Sequence, residues 1–183
     1  KFSLPQLMRS PLGNSIQVTE EHSDIMFRNG TYDDMPFLYE MLFEAFHWGS
    51  QSDRPSLQSF FENNEFRRLL ADWGKQGDVS VVAEVKFEKI GAAWYRFWTN
   101  DSHSYGYVAS HIPEIGIAVR SDFRSRGVGR LLLRSLKDVA HIQDVKQLSL
   151  SVDPNNYARR LYESEGFKKC GTSGTSWTMM CEL

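Results

Sequence analysis

The sequence predicts a mixed α/β fold. Three observations carry that prediction. Apolar residues recur at helical spacing early in the chain and again after residue 127. The stretch 79–98 alternates with a period of two. A strand–helix–strand run spans 110–152, and two strands joined through a helix are expected to lie parallel. A length of 183 residues suits one domain with a sizeable core.

Taken in order, "IMFRNG" (25–30) reads as a short strand ending in a turn. "TYDDMPFLYEMLFEAF" follows as a helix, with Phe37, Leu38, Met41, Leu42, Ala45 and Phe46 on one face, Asp33 or Asp34 as cap and Pro36 in the first turn. "HWGSQSDRPS" (47–56) is a loop, and a looser helix runs through "LQSFFENNEFRRLLADWG". "VSVVAEVKF" (79–87) and "KIGAAWYRFW" (89–98) form a hairpin around Glu88. A polar loop leads to the strand "SHIPEIGIAV" (110–119). A helix over about 127–142 then places Leu132, Leu136, Val139 and Ala140 on one face. "KQLSLSV" (146–152) is a strand, and "NNYARRLYESEG" (155–166) a helix ended by Gly166. A hairpin with its turn at "GTSG" (171–174) closes the chain.

Composition narrows the function. Hydrophobic residues make up 41% and charged residues 24%, and the net charge is −2, so no global basic field is present to hold nucleic acid. No apolar run has transmembrane length, and residues 1–23 carry no apolar block long enough for a signal peptide; they read as an extension outside a single domain, 24–183. The turn at 171–174 would pair Cys170 with a residue near Trp177, leaving Cys181 beyond disulfide reach. Free thiols fit a reducing cytoplasm, and no Cys/His cluster has zinc spacing, so no metal is expected.

The stretch "RSRGVGRLLLRSL" (124–136) sets two glycines among arginines at a helix start. Helix N-termini expose unpaired N–H groups and the positive end of the macrodipole; glycines admit a phosphate to bare backbone, and arginines add donors. The run lacks G-x-x-x-x-G-K-[ST]. It also fails G-x-G-x-x-G, because Leu132 stands where the third glycine is needed. It meets R-x-x-G-x-G through Arg124, Gly127 and Gly129, a pattern that also suits a solvated basic helix start.

The context is more specific. "PEIGIAVRSDFRSRGVGRLLLRSL" followed by "LSLSVDPNNYARRLYESEGF" resembles the GCN5-related N-acetyltransferase (GNAT) superfamily. The second block matches N-x-x-A-x-x-L-Y-E-x-x-G-F through Asn155, Ala158, Leu161, Tyr162, Glu163, Gly166 and Phe167. The strong match covers about 112–171, and the element order extends it over 24–183. The resemblance implies a mostly antiparallel sheet with one parallel crossover, flanked by helices. It implies acetyl-CoA as co-substrate and no metal. Strand 115–119 would splay from its neighbour and offer Ile117, Ala118 and Val119 to the pantetheine arm. Arg124, Ser125, Arg126, Gly127, Val128, Gly129 and Arg130 would hold the pyrophosphate, with Asn155, Ala158 and Tyr162 also in the cofactor site.

Acetyl transfer needs a neutral amine, a polarised carbonyl and a proton for the leaving thiolate. Tyr162 shares a helix face with small Ala158 and is the candidate general acid; packed by Leu161 and Phe167, it also suits a core position. Glu114 alternates with Gly116 and Ala118 onto one strand face and is the candidate base, acting through water in related enzymes; it also suits a plain strand start. His111 and Asp101 are lesser candidates for that role. Phe46, His47, Trp48, Trp94, Phe97, Trp98, Tyr105 and Tyr107 fall on segments expected around the acceptor. The expected activity is N-acetylation of a primary amine, on a small molecule rather than a protein N-terminus or lysine, with a non-catalytic acyl-CoA sensor as the alternative. Neither nucleic acid nor membrane is expected as a partner, and a homodimer stays open.

Overall fold

The computed structural model describes residues 24–49 and 54–183. The expected extension 1–23 lies outside them. Seven strands form one sheet in the order β1-β2-β3-β4-β5-β7-β6. They are β1 (Ile25–Asn29), β2 (Val79–Val85), β3 (Glu88–Arg96), β4 (Glu114–Val119), β5 (Gln147–Val152), β6 (Lys168–Ser173) and β7 (Ser176–Glu182). The helices are α1 (Met35–Phe46), α2 (Leu57–Glu62), α3 (Asn64–Arg67), α4 (Val128–Ile142) and α5 (Ala158–Ser164). Every neighbouring pair is antiparallel except β4 with β5, joined through α4. The mixed sheet with one parallel crossover is therefore as the sequence predicts.

Period two on the central strands sends alternate side chains to two cores. Ile115, Ile117 and Val119 join Leu132, Leu133, Leu136 and Ala140 of α4. Ala118, Ala92 and Trp94 join Phe37, Leu38, Met41 and Leu42 of α1 on the other face. The alternation read for β4 is observed, with Glu114 and Gly116 on the α1 side.

Four local differences have physical causes. The long helix expected over 57–74 breaks at Asn63, whose extended backbone and side chain cap α3 by accepting from the Glu65 N–H at 2.9 Å. The β2–β3 turn sits at Lys86 and Phe87, both with positive φ as a tight hairpin requires, so Glu88 begins the strand instead of forming the turn. β4 starts at Glu114, not 110, because residues 109–112 close a turn and Pro113 has no N–H for a ladder. α5 starts at Ala158, because Asp153–Asn156 is a turn and the Asn156 side chain caps Ala158 N–H at 2.9 Å. Cys170 is exposed beside a ladder irregularity and Cys181 is buried opposite Leu148; both are free thiols. Among the described residues, no helix is long and apolar enough to cross a membrane.

One buried ion pair fixes segment 69–78 to the sheet. Arg96 on β3 meets Asp78 at 2.6 Å, with side chains 5% and 3% exposed. The same guanidinium donates to the carbonyls of Leu69, Ala71 and Asp72, and Asp78 accepts from the N–H groups of Gly74 and Lys75. Removing one partner strands a buried charge, so Asp78→Ala should lower stability by about 3–5 kcal/mol, seen as a lower urea midpoint. The double replacement Arg96→Met with Asp78→Leu should recover much of that loss. An unchanged midpoint in Asp78→Ala would show that the pair does not anchor segment 69–78.

Candidate active site

β4 and β5 share a single paired position, Glu114 with Ser149, supported by the Ser149 N–H donating to the Pro113 carbonyl at 3.0 Å. Beyond it the strands part. On its other side β4 bonds β3, and the Arg120 N–H to Ile90 carbonyl bond sets the phase of that ladder. Ala118 therefore uses its main chain on Ala92, while the main-chain groups of Ile117 and Val119 face the gap. This is the splay expected for 115–119, with one refinement: Ala118 contributes a small side chain, not open backbone.

A cleft of about 640 Å³ fills the gap. Its walls are Gly116–Val119 of β4, Leu150–Val152 of β5, Ser125, Gly127, Gly129 and Arg130 at the start of α4, and Asn156–Ala158, Leu161 and Tyr162 around α5. This size falls within the usual range for small-molecule sites.

At the α4 end, Gly127 stands as N-cap with φ of 80°, Ser125 is also left-handed at 61°, and no side chain caps the helix. In the first turn the Arg130 N–H already donates to the Gly127 carbonyl at 3.0 Å, so the donors that the helix geometry leaves for an anion are those of Gly127, Val128 and Gly129. The arginines do not simply add to it. Arg124 donates to the Val119 carbonyl at 3.0 Å and to Glu44 of α1 at 2.6 Å. Arg130 pairs with Glu165, and Arg126 lies against the Phe123 ring at 5.4 Å. Three expected cofactor residues are off the cleft wall: Arg126, Val128 and Asn155. The Val128 side chain is in the core, 1% exposed, leaving only its backbone at the helix start. Asn155 sits exposed in the Asp153–Asn156 turn, and Asn156 takes the wall position.

Glu114 lies at the other end. Its Oε1 accepts from the Gly106 N–H at 2.8 Å, and its Oε2 is buried without a partner. Gly106 is required there: any Cβ would drive into the Leu150–Ser151 backbone. Burial pushes the carboxyl up to about 7, against the opposing pull of the Gly106 N–H, the Ser104 hydroxyl and the Arg68 charge. Tyr162 is 7% exposed and packs edge-to-face on Phe167. Burial raises its phenol well above the ordinary value, so the hydroxyl keeps its proton through neutral pH. Tyr162 thus belongs to the core and to the cleft wall at once.

His111 and Asp101 are exposed and not on the wall. Of the expected aromatics, Phe46, Trp48, Trp94, Trp98 and Tyr105 line the cleft; Phe97 packs into the α4 core and Tyr107 stacks on His103. Sequence reasoning missed Glu44, Ser104, Gly106 and Asn156. Only Asn156 carried a local signal, as a capping side chain two residues before the helix.

No curated protein compared with the chain matches it. Solved structures do. The ribosomal-protein-alanine N-acetyltransferase of Brucella melitensis aligns with TM-score 0.62 and 23% identity over 86% of this chain and 99% of its own. PaiA N-acetyltransferase of Thermoplasma acidophilum, solved with coenzyme A, aligns with TM-score 0.63 and 17% identity over 87% and 99%. The yncA protein of Salmonella typhimurium, solved with acetyl-CoA as its cofactor, aligns with TM-score 0.61 and 19% identity over 88% and 95%. At these identities the likeness is one of fold. The model of the acetyltransferase (GNAT) family matches residues 35–167, most of the chain and all of the cleft's motifs, and the protein belongs to that family.

Proposed function

We propose that the protein is an acetyl-CoA-dependent N-acetyltransferase that acetylates a primary amine on a small molecule by direct attack in a ternary complex. The observation that carries this reading is the buried, unpartnered Oε2 of Glu114 in the cleft that Tyr162 also lines. The fit to acetyl-CoA rests on the parted β4 and β5, the main chain of Ile117 and the Val119 N–H facing the gap, and the start of α4 without a side-chain cap. Acetyl-CoA supplies a thioester whose carbonyl carbon accepts the amine and whose sulfur leaves. Ile117 and Val119 orient the pantetheine arm, and the 125–130 turn holds the pyrophosphate. Glu114 takes the proton that the amine loses, directly or through water. Tyr162 gives its proton to the departing sulfur and recovers one from solvent. Loop 104–106 narrows the acceptor mouth, with Tyr105 facing Phe46 at 6.3 Å between ring centres, which favours a small acceptor over a polypeptide. Two unbridged thiols fit a cytoplasmic setting.

An amine panel with acetyl-CoA, followed by free-thiol release, tests the reading; no turnover with any amine would refute it. For an accepted amine, kcat/KM should rise with pH and break near 7, where Glu114 loses its proton. Glu114→Gln should cut turnover by about 10²–10⁴-fold and abolish the break. A mutant that keeps the parental profile would move the base elsewhere.

Stability adds an independent sign. The folded state holds the Glu114 proton that the unfolded chain releases between 4.5 and about 7, so this group makes stability fall as pH rises through that window. Glu114→Gln removes the effect. The melting temperature of the mutant, relative to the parent, should be higher at pH 8 than at pH 5.

Tyr162→Phe keeps the ring and removes the proton donor. It should lower turnover by about 10²–10⁴-fold while acetyl-CoA affinity barely changes. A phenylalanine variant as fast as the parent, with chemistry rate-limiting, would sink the donor role.

A further inference from the structure

The acceptor end of the cleft has a distinctive composition. In the β3–β4 register Trp94 stands opposite Gly116 and Arg96 opposite Glu114, so Trp94 and Trp98 flank Arg96 on the face that carries the base. Tyr105 sits between Ser104, buried beside the Glu114 carboxyl, and Gly106, which donates to it. Phe46 faces Tyr105. Phe46 and Tyr105 are 38% and 37% exposed, so neither ring is absorbed into the core. Flat apolar surface left open at a concave site, beside one carboxylate, marks where a ligand is covered.

Charge sharpens the class. Among the described residues every arginine on the cleft wall is engaged by an acid: Arg96 by Asp78, Arg124 by Glu44 and Arg130 by Glu165. Arg68, the cation whose charge reaches Glu114, bonds Glu65 and the His103 carbonyl. An acceptor bearing its own carboxylate or phosphate would meet Glu114 and no available cation. A buried acid without a partner is strongly disfavoured, whereas an ammonium entering the site meets aromatic faces and a carboxylate.

We propose that the acceptor is a primary amine carried on an aromatic body without an acidic group, its ring packed against Phe46 and Tyr105 and its nitrogen presented to Glu114. This deepens the acetyl-transfer reading and rests on it for the turnover, though the ligand class can be measured separately. The rings supply face and edge contacts that an alkyl chain of the same length cannot match, and the paired arginines exclude amino acids.

Three probes separate the terms: 2-phenylethylamine, phenylalanine with the same ring and an added carboxylate, and hexylamine without a ring. Calorimetric binding to the full chain in the presence of CoA reads affinity without chemistry; thiol release with acetyl-CoA reads kcat/KM. We expect 2-phenylethylamine to exceed phenylalanine by about 10–100-fold and hexylamine by about 3–10-fold in both measurements. Tyr105→Ala should weaken 2-phenylethylamine about 3–10-fold, leave hexylamine less affected and leave the KM for acetyl-CoA unchanged. Phe46→Ala serves as the second variant. Equal or better binding of phenylalanine, no binding of 2-phenylethylamine, response only to a peptide N-terminus, or variants with parental selectivity would each overturn the proposal. Selective binding of 2-phenylethylamine with no thiol release from any amine would support the ligand class while refuting acetyl transfer.

Discussion

The parting of β4 from β5 after one paired position is the constraint on which the site depends. A parallel pair normally continues its ladder, because unpaired strand edges in an interior are costly. Here the pair stops at Glu114 and Ser149, and the chain keeps the opening from closing by several means. Loop 104–106 packs Gly106 against Leu150 and Ser151, at the point where the strands diverge. Arg124 binds the Val119 carbonyl and ties that end of β4 to α1 through Glu44. Trp94 lies against Gly116, filling the α1 side where a larger residue on β4 would clash. The result is a strand edge facing a cleft instead of a neighbour, held there by packing on both faces.

The same economy governs charge. Among the described residues the cleft wall holds three arginines, yet each is paired with an acid: Glu44 on α1, Glu165 just past α5 and Asp78 on the approach to β2. Paired in this way they position backbone more than they attract ligand. The donors left open for an anion are mainly the N–H groups at the start of α4, which carry no counter-charge of their own. At the opposite end the exposed valence is a carboxylate among aromatic rings. The cleft is therefore polarised along its length, with main-chain N–H groups at the α4 end and a carboxyl at the Glu114 end.

Much of this was legible in the sequence, and the failures have reasons. Period two on 114–119 placed Glu114, Gly116 and Ala118 on one face, because a strand's alternation leaves no other arrangement. The helical spacing of Ala158 and Tyr162 was equally secure. Asn155 and Asn156 are adjacent in sequence, and which one reaches the wall depends on the Asp153–Asn156 turn, which delays the helix from the expected 155 to Ala158. Asn63 interrupts a helical pattern through its side chain, which a moment of apolar spacing does not register. Glu44 could not be read at all: its meaning comes from Arg124, 80 residues away. Phe46 was assigned to the core face of α1, and it does continue that stripe; its partial exposure follows from α1 ending at the cleft mouth.

Tyr162 and Glu114 are moved in the same direction by the same cause, and the consequences are opposite. Desolvation disfavours an anion wherever it forms, so both groups hold their protons to higher pH than in water. For a carboxyl this carries the transition from the acid range to about 7, so both of its protonation states are populated near neutrality. For a phenol the same displacement leads away from neutrality and leaves a permanent hydrogen-bond donor. The same burial thus leaves two side chains of one cleft wall in different protonation behaviour near neutral pH. What separates them is the intrinsic acidity of the two side chains, together with the Gly106 N–H, the one direct backbone bond to either group. That bond, with the Ser104 hydroxyl and the Arg68 charge, limits how far Glu114 rises, and moving it would shift the carboxyl and leave the phenol unchanged.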